Sequence, residues 1–275
     1  MNVFTHVILP IFGGLILLFC LYLVLIRTRR PRKEAEPFAR CHYAHRGLWG
    51  EGVAENSLTA FRLAAERGIA VEMDVQLSRD GVPVVFHDPL LDRVTGMEGA
   101  VRDYDAATLA TFRLSGTEDT VPTFAEVLSV IGGRCPILLE IKSDAGWRAV
   151  AEAVLPMIRE YEGPLCIESF HPLAVRFFRR RAPEVVRGFL WARHFRHPSF
   201  RRPSYFLVWL MVFNFLMRPD FIAASTEDLF DFPILMLRLF HKTGYLAWTV
   251  RDGETYRAVI PYVHGVIFEG FLPPS

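Results

Sequence analysis

Residues 70–88 read AVEMDVQLSRDGVPVVFHD, and this stretch decides the fold and the chemistry that the rest of the chain must support. Its first half favours β-structure, and the alternation along a strand places Glu72 and Asp74 on one face with apolar neighbours on the other. The polar SRDG segment is typical of a turn, and the apolar run 82–86 predicts a second strand. We therefore expect a β-hairpin that brings His87 roughly opposite Glu72.

The paired carboxylates predict a metal site. Two neighbouring carboxylates repel each other, so one would be protonated unless a cation lies between them. A hard divalent ion such as Ca²⁺ or Mg²⁺, which prefers oxygen ligands, is the expected occupant. His45, at the end of the preceding apolar run, is expected to supply the opposite side of the site. Each fragment also has an ordinary structural explanation, but their order between His45 and His87 favours metal-assisted acid/base chemistry.

The rest of the body alternates strand-like and helical segments. Eight short apolar runs between Tyr43 and Phe268 are separated by helical patterns, and residues 82–86 are left as an additional strand. Repeated alternation of this kind indicates a parallel sheet, and eight units predict an α/β fold, a closed (β/α)₈ TIM barrel with an extra β-hairpin arm. The predicted site residues fall at or just after strand ends, on the face where barrel enzymes place their catalytic groups.

The N-terminal segment is a separate apolar unit. Residues 3–26 contain no Asp, Glu, Lys or Arg and are long enough to cross a bilayer, and five basic residues follow between Arg27 and Lys33. This order of charge is the opposite of a cleavable signal peptide. We expect residues 1–26 to form one transmembrane helix, 27–39 a basic juxtamembrane linker and 40–275 the barrel. The positive-inside rule predicts a single-pass protein of the cell membrane with a cytoplasmic barrel.

Residues 194–217 exceed what a minimal barrel needs. They combine a basic cluster, Arg196, His197, Arg201 and Arg202, with an apolar run shorter than a typical membrane span. Two interpretations stay open. The segment is either an ordinary barrel helix that packs on the strands, or an interfacial helix in residues 196–217 that contacts the membrane through basic and aromatic side chains.

The composition bounds the class of protein. The chain has 275 residues, of which 51% are hydrophobic, and its net charge is +1, which fits one large domain with an appendage. This near-neutral balance gives no indication of nucleic-acid binding. The four cysteines show no zinc-type spacing, so we expect free thiols.

Several short motifs occur in an order that resembles one known family. They are His45-Arg46-Gly47, Glu55-Asn56-Ser57, Glu72-x-Asp74-Val75, Asp80-Gly81-Val82-Pro83-Val84, His87-Asp88, Leu139-Glu140-Ile141-Lys142, Glu168-Ser169-Phe170 and Ala247-Trp248-Thr249-Val250. The series resembles the glycerophosphodiester phosphodiesterase family of the phospholipase-C-like phosphodiesterase superfamily, in a membrane-anchored bacterial form, and covers roughly residues 41–270. Many members close on an aspartate-proline after the last strand, where this chain carries Glu269 as a substitute acidic residue.

The resemblance implies a role for each matching residue. The implied metal ligands are Glu72, Asp74 and Glu140, the acid/base pair is His45 and His87, the phosphate-binding residues are Arg46 and Lys142, and the pocket residues are Phe170 and Trp248. The chemistry is consistent with these roles, because fixed positive charge offsets that of a phosphodiester and imidazole titrates near neutral pH. Phe170 and Trp248 have the alternative role of packing at the rim.

The activity that the resemblance implies is metal-dependent hydrolysis of glycerophosphodiesters to sn-glycerol 3-phosphate and an alcohol. A lysophospholipase D-like activity, or another lipid phosphodiesterase activity on the same fold, is the alternative, so the partner is a small-molecule or lipid-derived phosphodiester. A catalytically inactive, membrane-bound binding module is disfavoured, because degenerate members of such a family usually lose at least one site residue. Head-group preference, metal identity and the division of roles between the two histidines stay open.

Overall fold

The computed structural model describes residues 4–142, 146–193 and 203–274, and within them nine strands form one sheet. The strands are β1 Tyr43–Ala44, β2 Ala70–Leu77, β3 Pro83–Val85, β4 Ile137–Ile141, β5 Leu165–Glu168, β6 Val186–Trp191, β7 Phe221–Ser225, β8 Gly244–Val250 and β9 Gly265–Phe268. All neighbours are parallel except β2 and β3, and the barrel closes because β1 pairs with both β2 and β9. The predicted (β/α)₈ barrel with an extra hairpin arm is confirmed.

Helices surround the barrel and extend from its N-terminus. They are α1 Leu9–Ile26, α2 Glu36–Ala39, α3 Leu58–Glu66, α4 Asp92–Thr95, α5 Ala106–Leu109, α6 Phe124–Ile131, α7 Trp147–Glu160, α8 Pro172–Arg181, α9 Pro203–Trp209, α10 Asn214–Met217, α11 Phe232–Phe240 and α12 Gly253–Val259. Short 3-10 turns cover Lys33–Ala35, Val101–Asp103, Thr226–Asp228 and Ile260–Tyr262, and a π-helical turn, Phe4–Ile8, precedes α1. The helices of the body cover the outer face of the strands and bury its apolar residues.

Strand β2 shows how the alternating pattern produces both core and site. Met73 and Val75 lie in a fully buried cluster beneath the surrounding helices, and burial of such side chains contributes about 1.5–3 kcal/mol each. Glu72 and Asp74 alternate with them and are also buried, but on the inner side of the barrel. Pairing of Val75 with Val85 then places the β3 arm beside the end of β2.

Helix α1 is exposed over most of its length, and its C-terminal end packs against the barrel. The described residues contain one helix, His6–Ile26, that is long and apolar enough to cross a membrane, with a mean hydropathy of 2.7. Its last turns pack against α11, where the ring of Tyr22 stacks on Phe232 at 5.7 Å and Phe19 meets Phe240 edge-on at 5.8 Å. The carbonyl of Ile26 accepts a hydrogen bond of 2.7 Å from the Asn214 side chain. The end of α1 is therefore fixed to the barrel.

The basic segment after α1 is bound to the end of the barrel where the strands begin. The guanidinium of Arg32 donates two hydrogen bonds to Asp220, at 2.9 and 3.1 Å, and Asp220 immediately precedes β7. The hydroxyls of Thr28 and Thr243 are 2.9 Å apart, just before β8. The division of the chain at residues 26 and 39 stays a prediction, but these contacts indicate a docked connection instead of a free tether.

The insertion is described only from residue 203 onward. The basic residues Arg196, His197, Arg201 and Arg202 lie outside the described residues, so the prediction of an interfacial helix there stays open. Within α9 and the following turn, the Trp191 indole donates to the carbonyl of Trp209 at 3.0 Å and Met211 is buried. Phe206, Leu207 and Phe215 are exposed. The segment therefore packs on the strands with one face and exposes apolar side chains with the other.

Candidate active site

Three carboxylates converge at the C-terminal ends of two neighbouring strands. Parallel pairing of β2 with β4 places Asp74 beside Glu140, and Glu72 lies two residues earlier on the same face of β2. One ligand oxygen from each of the three residues lies within 4.8 Å of the others, and all three side chains are buried. The predicted acidic cluster is therefore brought together by the fold, and its three oxygens are close enough to one another to bind a single metal ion.

The pKa shifts in this cluster reflect the negative charge that is concentrated there. Burial, followed by the charges of the neighbouring carboxylates, raises the pKa of Glu72 well above its usual value. Burial likewise raises the pKa of Glu140 to about 7, although Lys142 opposes the shift. Burial would also raise the pKa of Asp74, but nearby positive charge, led by Lys142, lowers it below its usual range. A bound cation would stabilise the charged form of all three groups.

Lys142 follows β4 and lies between two of the carboxylates. Its ammonium is 2.8 Å from Asp74 and 3.0 Å from Glu140, and the side chain is almost completely buried. Burial alone would lower the pKa of Lys142, but the charges of Asp74 and Glu140 raise it above its usual value. The residue predicted to bind phosphate is therefore in the site, and its charge compensates part of the acidic cluster.

Glu168, at the end of β5, is a fourth buried carboxylate in the site. It pairs in register with Glu140 on β4, and its Oε2 atom has no hydrogen-bond partner among the described residues. Burial and the charges of Glu140 and Asp74 raise the pKa of Glu168 well above its usual value. The motif Glu168-Ser169-Phe170 indicated family membership, but the register with Glu140 is what places this carboxylate in the site.

His45 follows β1 and is oriented by an acidic residue from the far end of the chain. Its Nδ1 atom is hydrogen-bonded to Glu269, which follows β9 and also accepts a hydrogen bond of 2.7 Å from Arg251. Burial would raise the pKa of Glu269, but the hydrogen bond and charge of His45, with the charge of Arg251, lower it to about 2. The Nε2 atom of His45 is 3.9 Å from Glu72, so this nitrogen faces the acidic cluster.

His87 is delivered by the hairpin arm, as the sequence predicts. The amide of Phe86 donates to the carbonyl of Asp74 at 3.0 Å, which aligns the exit of the arm with the acidic strand. The Gln76 side chain donates to the carbonyls of Phe86, His87 and Asp88 at 2.9, 3.1 and 2.7 Å. The Nδ1 atom of His87 is 2.5 Å from Asp88, and burial lowers the pKa of His87 below its usual value.

Arg46 lies in a turn whose backbone only a few residue types tolerate. Arg46 and Gly47 have φ angles of 60° and 84°, and a Cβ atom on Gly47 would lie 2.9 Å from the Cβ of Ala60. This conformation directs the amide of Arg46 to Glu72, at 3.0 Å. The guanidinium of Arg46 donates to Glu55 at 2.8 Å and has its Nε atom 3.6 Å from Asp74.

The Glu55-Asn56-Ser57 motif holds Arg46, Asp74 and the start of α3 in position. Glu55 binds both Arg46 and Arg93, the latter through hydrogen bonds of 3.0 and 2.6 Å. The Asn56 side chain donates to Asp74 at 2.9 Å, and the Ser57 hydroxyl accepts from the amide of Ala60 and thereby caps α3. Each residue of the motif therefore makes a hydrogen bond that stabilises the site or α3, although the sequence alone assigned none of them a role.

All of the predicted site residues except Asp74 line one cavity of about 210 Å³ at the C-terminal ends of the strands. Its charged lining comprises His45, Arg46, Glu72, His87, Glu140, Lys142, Glu168 and Arg251. Phe170 and Trp248 form part of the wall, with their rings edge to face at 5.5 Å, and the Trp248 indole donates to the carbonyl of Ala223 at 2.9 Å. The structure thus brings all nine predicted residues to one site or its immediate surroundings, and contact of Phe170 and Trp248 with substrate stays a prediction.

Comparison with known proteins gives a consistent result. The model of the glycerophosphoryl diester phosphodiesterase family matches residues 45–269. A glycerophosphodiester phosphodiesterase from Caldanaerobacter subterraneus is 35% identical over 161 residues, covering 54% of this chain and 65% of that protein. A protein of the same name from Bacillus altitudinis is 31% identical over 155 residues, covering 52% of this chain and 63% of that protein. The aligned region therefore spans slightly less than two thirds of each of these relatives.

Solved structures share the fold over more than four fifths of this chain. An Oleispira antarctica phosphodiesterase in complex with the product sn-glycerol-3-phosphate superimposes with a TM-score of 0.71 and 25% identity, over 85% of this chain and 94% of that chain. A glycerophosphodiester phosphodiesterase from Thermotoga maritima gives a TM-score of 0.65 and 27% identity, over 82% and 92% of the two chains. The family match begins at His45 and ends at Glu269, two residues that are hydrogen-bonded to each other where β1 and β9 close the barrel. This chain belongs to the glycerophosphoryl diester phosphodiesterase family.

Proposed function

We propose that this chain is a metal-dependent phosphodiesterase that hydrolyses glycerophosphodiesters to sn-glycerol 3-phosphate and an alcohol. The main observation behind the proposal is the convergence of Glu72, Asp74 and Glu140 beside a cavity that both histidines line. Membership of the family supports the reaction, and the product bound in the Oleispira antarctica relative supports the glycerol phosphate half of the substrate.

The donor set fits a hard divalent cation. Glu72, Asp74 and Glu140 offer three oxygen ligands within 4.8 Å of one another, and Ca²⁺ and Mg²⁺ both prefer oxygen donors. The raised pKa of Glu72 and the unpartnered Oε2 of Glu168 indicate negative charge that the described residues do not fully compensate. A divalent ion held by these residues would supply Lewis-acid polarisation of the phosphoryl oxygens. Either ion is consistent with these three donors.

The two histidines would move protons on either side of the phosphorus. Each has its Nδ1 atom hydrogen-bonded to a carboxylate, Glu269 for His45 and Asp88 for His87, which leaves Nε2 to exchange a proton in the cavity. One imidazole would accept the proton of the nucleophile, either water or the adjacent glycerol hydroxyl, and the other would donate a proton to the leaving alkoxide. If the glycerol hydroxyl attacks first, water opens the resulting cyclic phosphate in a second step.

Positive side chains would stabilise the charge that develops on phosphorus. The guanidinium of Arg46 and the ammonium of Lys142 line the cavity, and both are held by carboxylates that fix their positions. Preorganised charge of this kind is effective because it costs no rearrangement during the reaction. Phe170 and Trp248 would contact the glycerol carbons, since they supply aromatic surface to the wall of the cavity.

We further propose that α1 anchors the barrel to the cell membrane as a single span, with the barrel on the cytoplasmic side. The apolar helix His6–Ile26 and the basic residues that follow it support this arrangement. A signal sequence is also an apolar helix near the N-terminus, so the location of the barrel relative to the membrane is tested directly. Protease protection of the barrel in sealed inverted vesicles compared with right-side-out cells would decide it, and cleavage of the barrel on intact cells would contradict a cytoplasmic location.

The activity is tested with the full chain purified in detergent. Glycerophosphocholine, glycerophosphoethanolamine and glycerophosphoglycerol are assayed beside lysophospholipids, after chelation and after Ca²⁺ or Mg²⁺ is added back. We expect hydrolysis only with metal, and a loss of at least about 100-fold for His45→Ala or His87→Ala. His264→Ala, at the opposite end of β9 and outside the cavity, is the matched control. Full activity of both His45→Ala and His87→Ala would disprove the acid/base assignment, and preference for lysophospholipids would favour the alternative substrate class.

A further inference from the structure

An open cleft of about 750 Å³ lies where α1 meets the loops at the opposite end of the barrel from the active site. Its wall includes three apolar side chains, Leu23, Val24 and Phe240, and four basic ones, Arg27, Arg29, Arg30 and Lys242. Among the described residues, no Asp or Glu side chain lines this cleft. The cleft therefore concentrates positive charge directly beside the apolar end of α1.

Some of the basic side chains in this cleft make no hydrogen bond or ion pair within the described part of the chain. Arg29 is held at the barrel, because its Nη1 atom donates to the carbonyl of Pro183 at 3.0 Å and lies 3.9 Å from Asp220. Arg30 and Lys242 are exposed, and neither side chain has a hydrogen-bond or ion-pair partner in the described part of the chain. These two cations are available to an anionic ligand.

The apolar wall of the cleft continues into a larger exposed surface. Val24 and Phe240 are 58% and 51% exposed, and Leu239 on the outer side of α11 is 71% exposed. The residues of α1 that precede Phe19 are apolar and exposed. Cations next to apolar side chains at the end of a candidate membrane span match the chemistry of the boundary between lipid head groups and acyl chains.

We propose that this cleft binds the phosphate of an anionic phospholipid, with Arg30 and Lys242 contacting the head group and Val24 and Phe240 contacting the acyl chains. Inorganic phosphate offers the same anionic oxygens, but it would leave the apolar wall of the cleft in water. A phospholipid contacts both the basic and the apolar side chains of the cleft, and we therefore favour it as the ligand. The proposal rests on α1 crossing the membrane. It is independent of catalysis, because the cleft contains no residue of the active-site cavity.

The test is a lipid titration of the full chain in detergent, followed by native mass spectrometry. Dioleoyl phosphatidylglycerol and dioleoyl phosphatidylcholine serve as the anionic and neutral probes. We expect retention of the anionic lipid, and about 30-fold weaker retention in the double variant Arg30→Gln/Lys242→Gln, since each basic residue near a lipid surface contributes a factor of about five. The control Arg62→Gln/Arg102→Gln removes the same charge from exposed sites on α3 and in the 3-10 turn Val101–Asp103, and should bind like the wild type.

Three results would overturn the proposal. The first is equal retention of phosphatidylglycerol by the Arg30→Gln/Lys242→Gln variant and the wild type, and the second is equal retention of the neutral lipid. The third is complete displacement of the lipid by an equimolar amount of inorganic phosphate, which would identify a site for the free anion. Hydrolysis of glycerophosphocholine and resistance of vesicle-bound protein to alkaline extraction are measured in parallel, so that failure of lipid binding is distinguished from failure of catalysis or of anchoring.

Discussion

The replacement Lys142→Met tests the electrostatic account of the site most directly. The ammonium of Lys142 lies 2.8 Å from Asp74 and 3.0 Å from Glu140, so at an effective dielectric constant of about 20 each contact is worth about 6 kcal/mol of gross attraction. Desolvation of the lysine offsets much of this attraction, and proton uptake by Glu140, whose pKa is about 7, relieves part of the repulsion that would follow. Methionine fills a similar volume and leaves buried carboxylates uncompensated.

We therefore expect Lys142→Met to lower the stability of the metal-free protein by about 3–5 kcal/mol, the usual cost of removing one partner of a buried ion pair. For a chain of this size, that loss corresponds to a fall of about 6–20 °C in apparent Tm. The assay is thermal unfolding of the full chain in detergent with a chelator, at a fixed scan rate. Lys33→Met, which removes an exposed lysine, is the control and should unfold like the wild type.

The addition of a divalent cation separates this account from a simple packing defect. A cation bound by Glu72, Asp74 and Glu140 would replace the missing positive charge, so Ca²⁺ or Mg²⁺ should raise the Tm of Lys142→Met by more than that of the wild type. A Tm of the metal-free variant within about 2 °C of the wild type would refute the reasoning. An equal metal-induced shift in both proteins would show that Lys142 and the cation do not share the same carboxylates.

Three further predictions follow from individual contacts. Glu269→Gln, which weakens the orientation of His45, should lower kcat about 10–100-fold with little change in KM, as measured by steady-state hydrolysis of glycerophosphocholine. Asp74→Asn should abolish the increase in Tm that Ca²⁺ or Mg²⁺ produces in the wild type, because one of three ligand carboxylates is lost. Gly47→Ala should destabilise the protein by about 2–4 kcal/mol in denaturant unfolding, since the new Cβ would lie 2.9 Å from Ala60. Gly52→Ala has a similar φ of 73° but nothing within 4 Å, so it should cost only about 1 kcal/mol.

Each of these predictions has a result that contradicts it. A change confined to KM in Glu269→Gln would assign the glutamate to substrate binding instead of the orientation of His45. An unchanged metal-induced shift in Asp74→Asn would place the cation elsewhere. Equal destabilisation by Gly47→Ala and Gly52→Ala would show that backbone conformation alone, and not the close approach to α3, requires glycine at position 47.

The site residues whose positions could be predicted from a local sequence pattern are Glu72, Asp74 and His87, which lie within one short segment. Glu72 and Asp74 lie two residues apart on one strand, so the alternation of side chains is enough to place them together. The turn and the following strand then fix where the chain returns, and this is why His87 was correctly placed beside the acidic strand. Glu140 and Lys142 could be assigned only by resemblance to a family, because no local pattern connects them to β2.

The sequence by itself determined the barrel, because eight repeats of strand and helix satisfy their backbone hydrogen bonds and bury their apolar faces best in a closed parallel sheet. It also determined the apolar helix at the N-terminus, from hydropathy alone. Only the tertiary structure decided that Glu269 orients His45 across a separation of 224 residues, and that the end of α1 is docked against α11. Such contacts depend on strand register and on the packing of whole helices, and a linear pattern does not specify either.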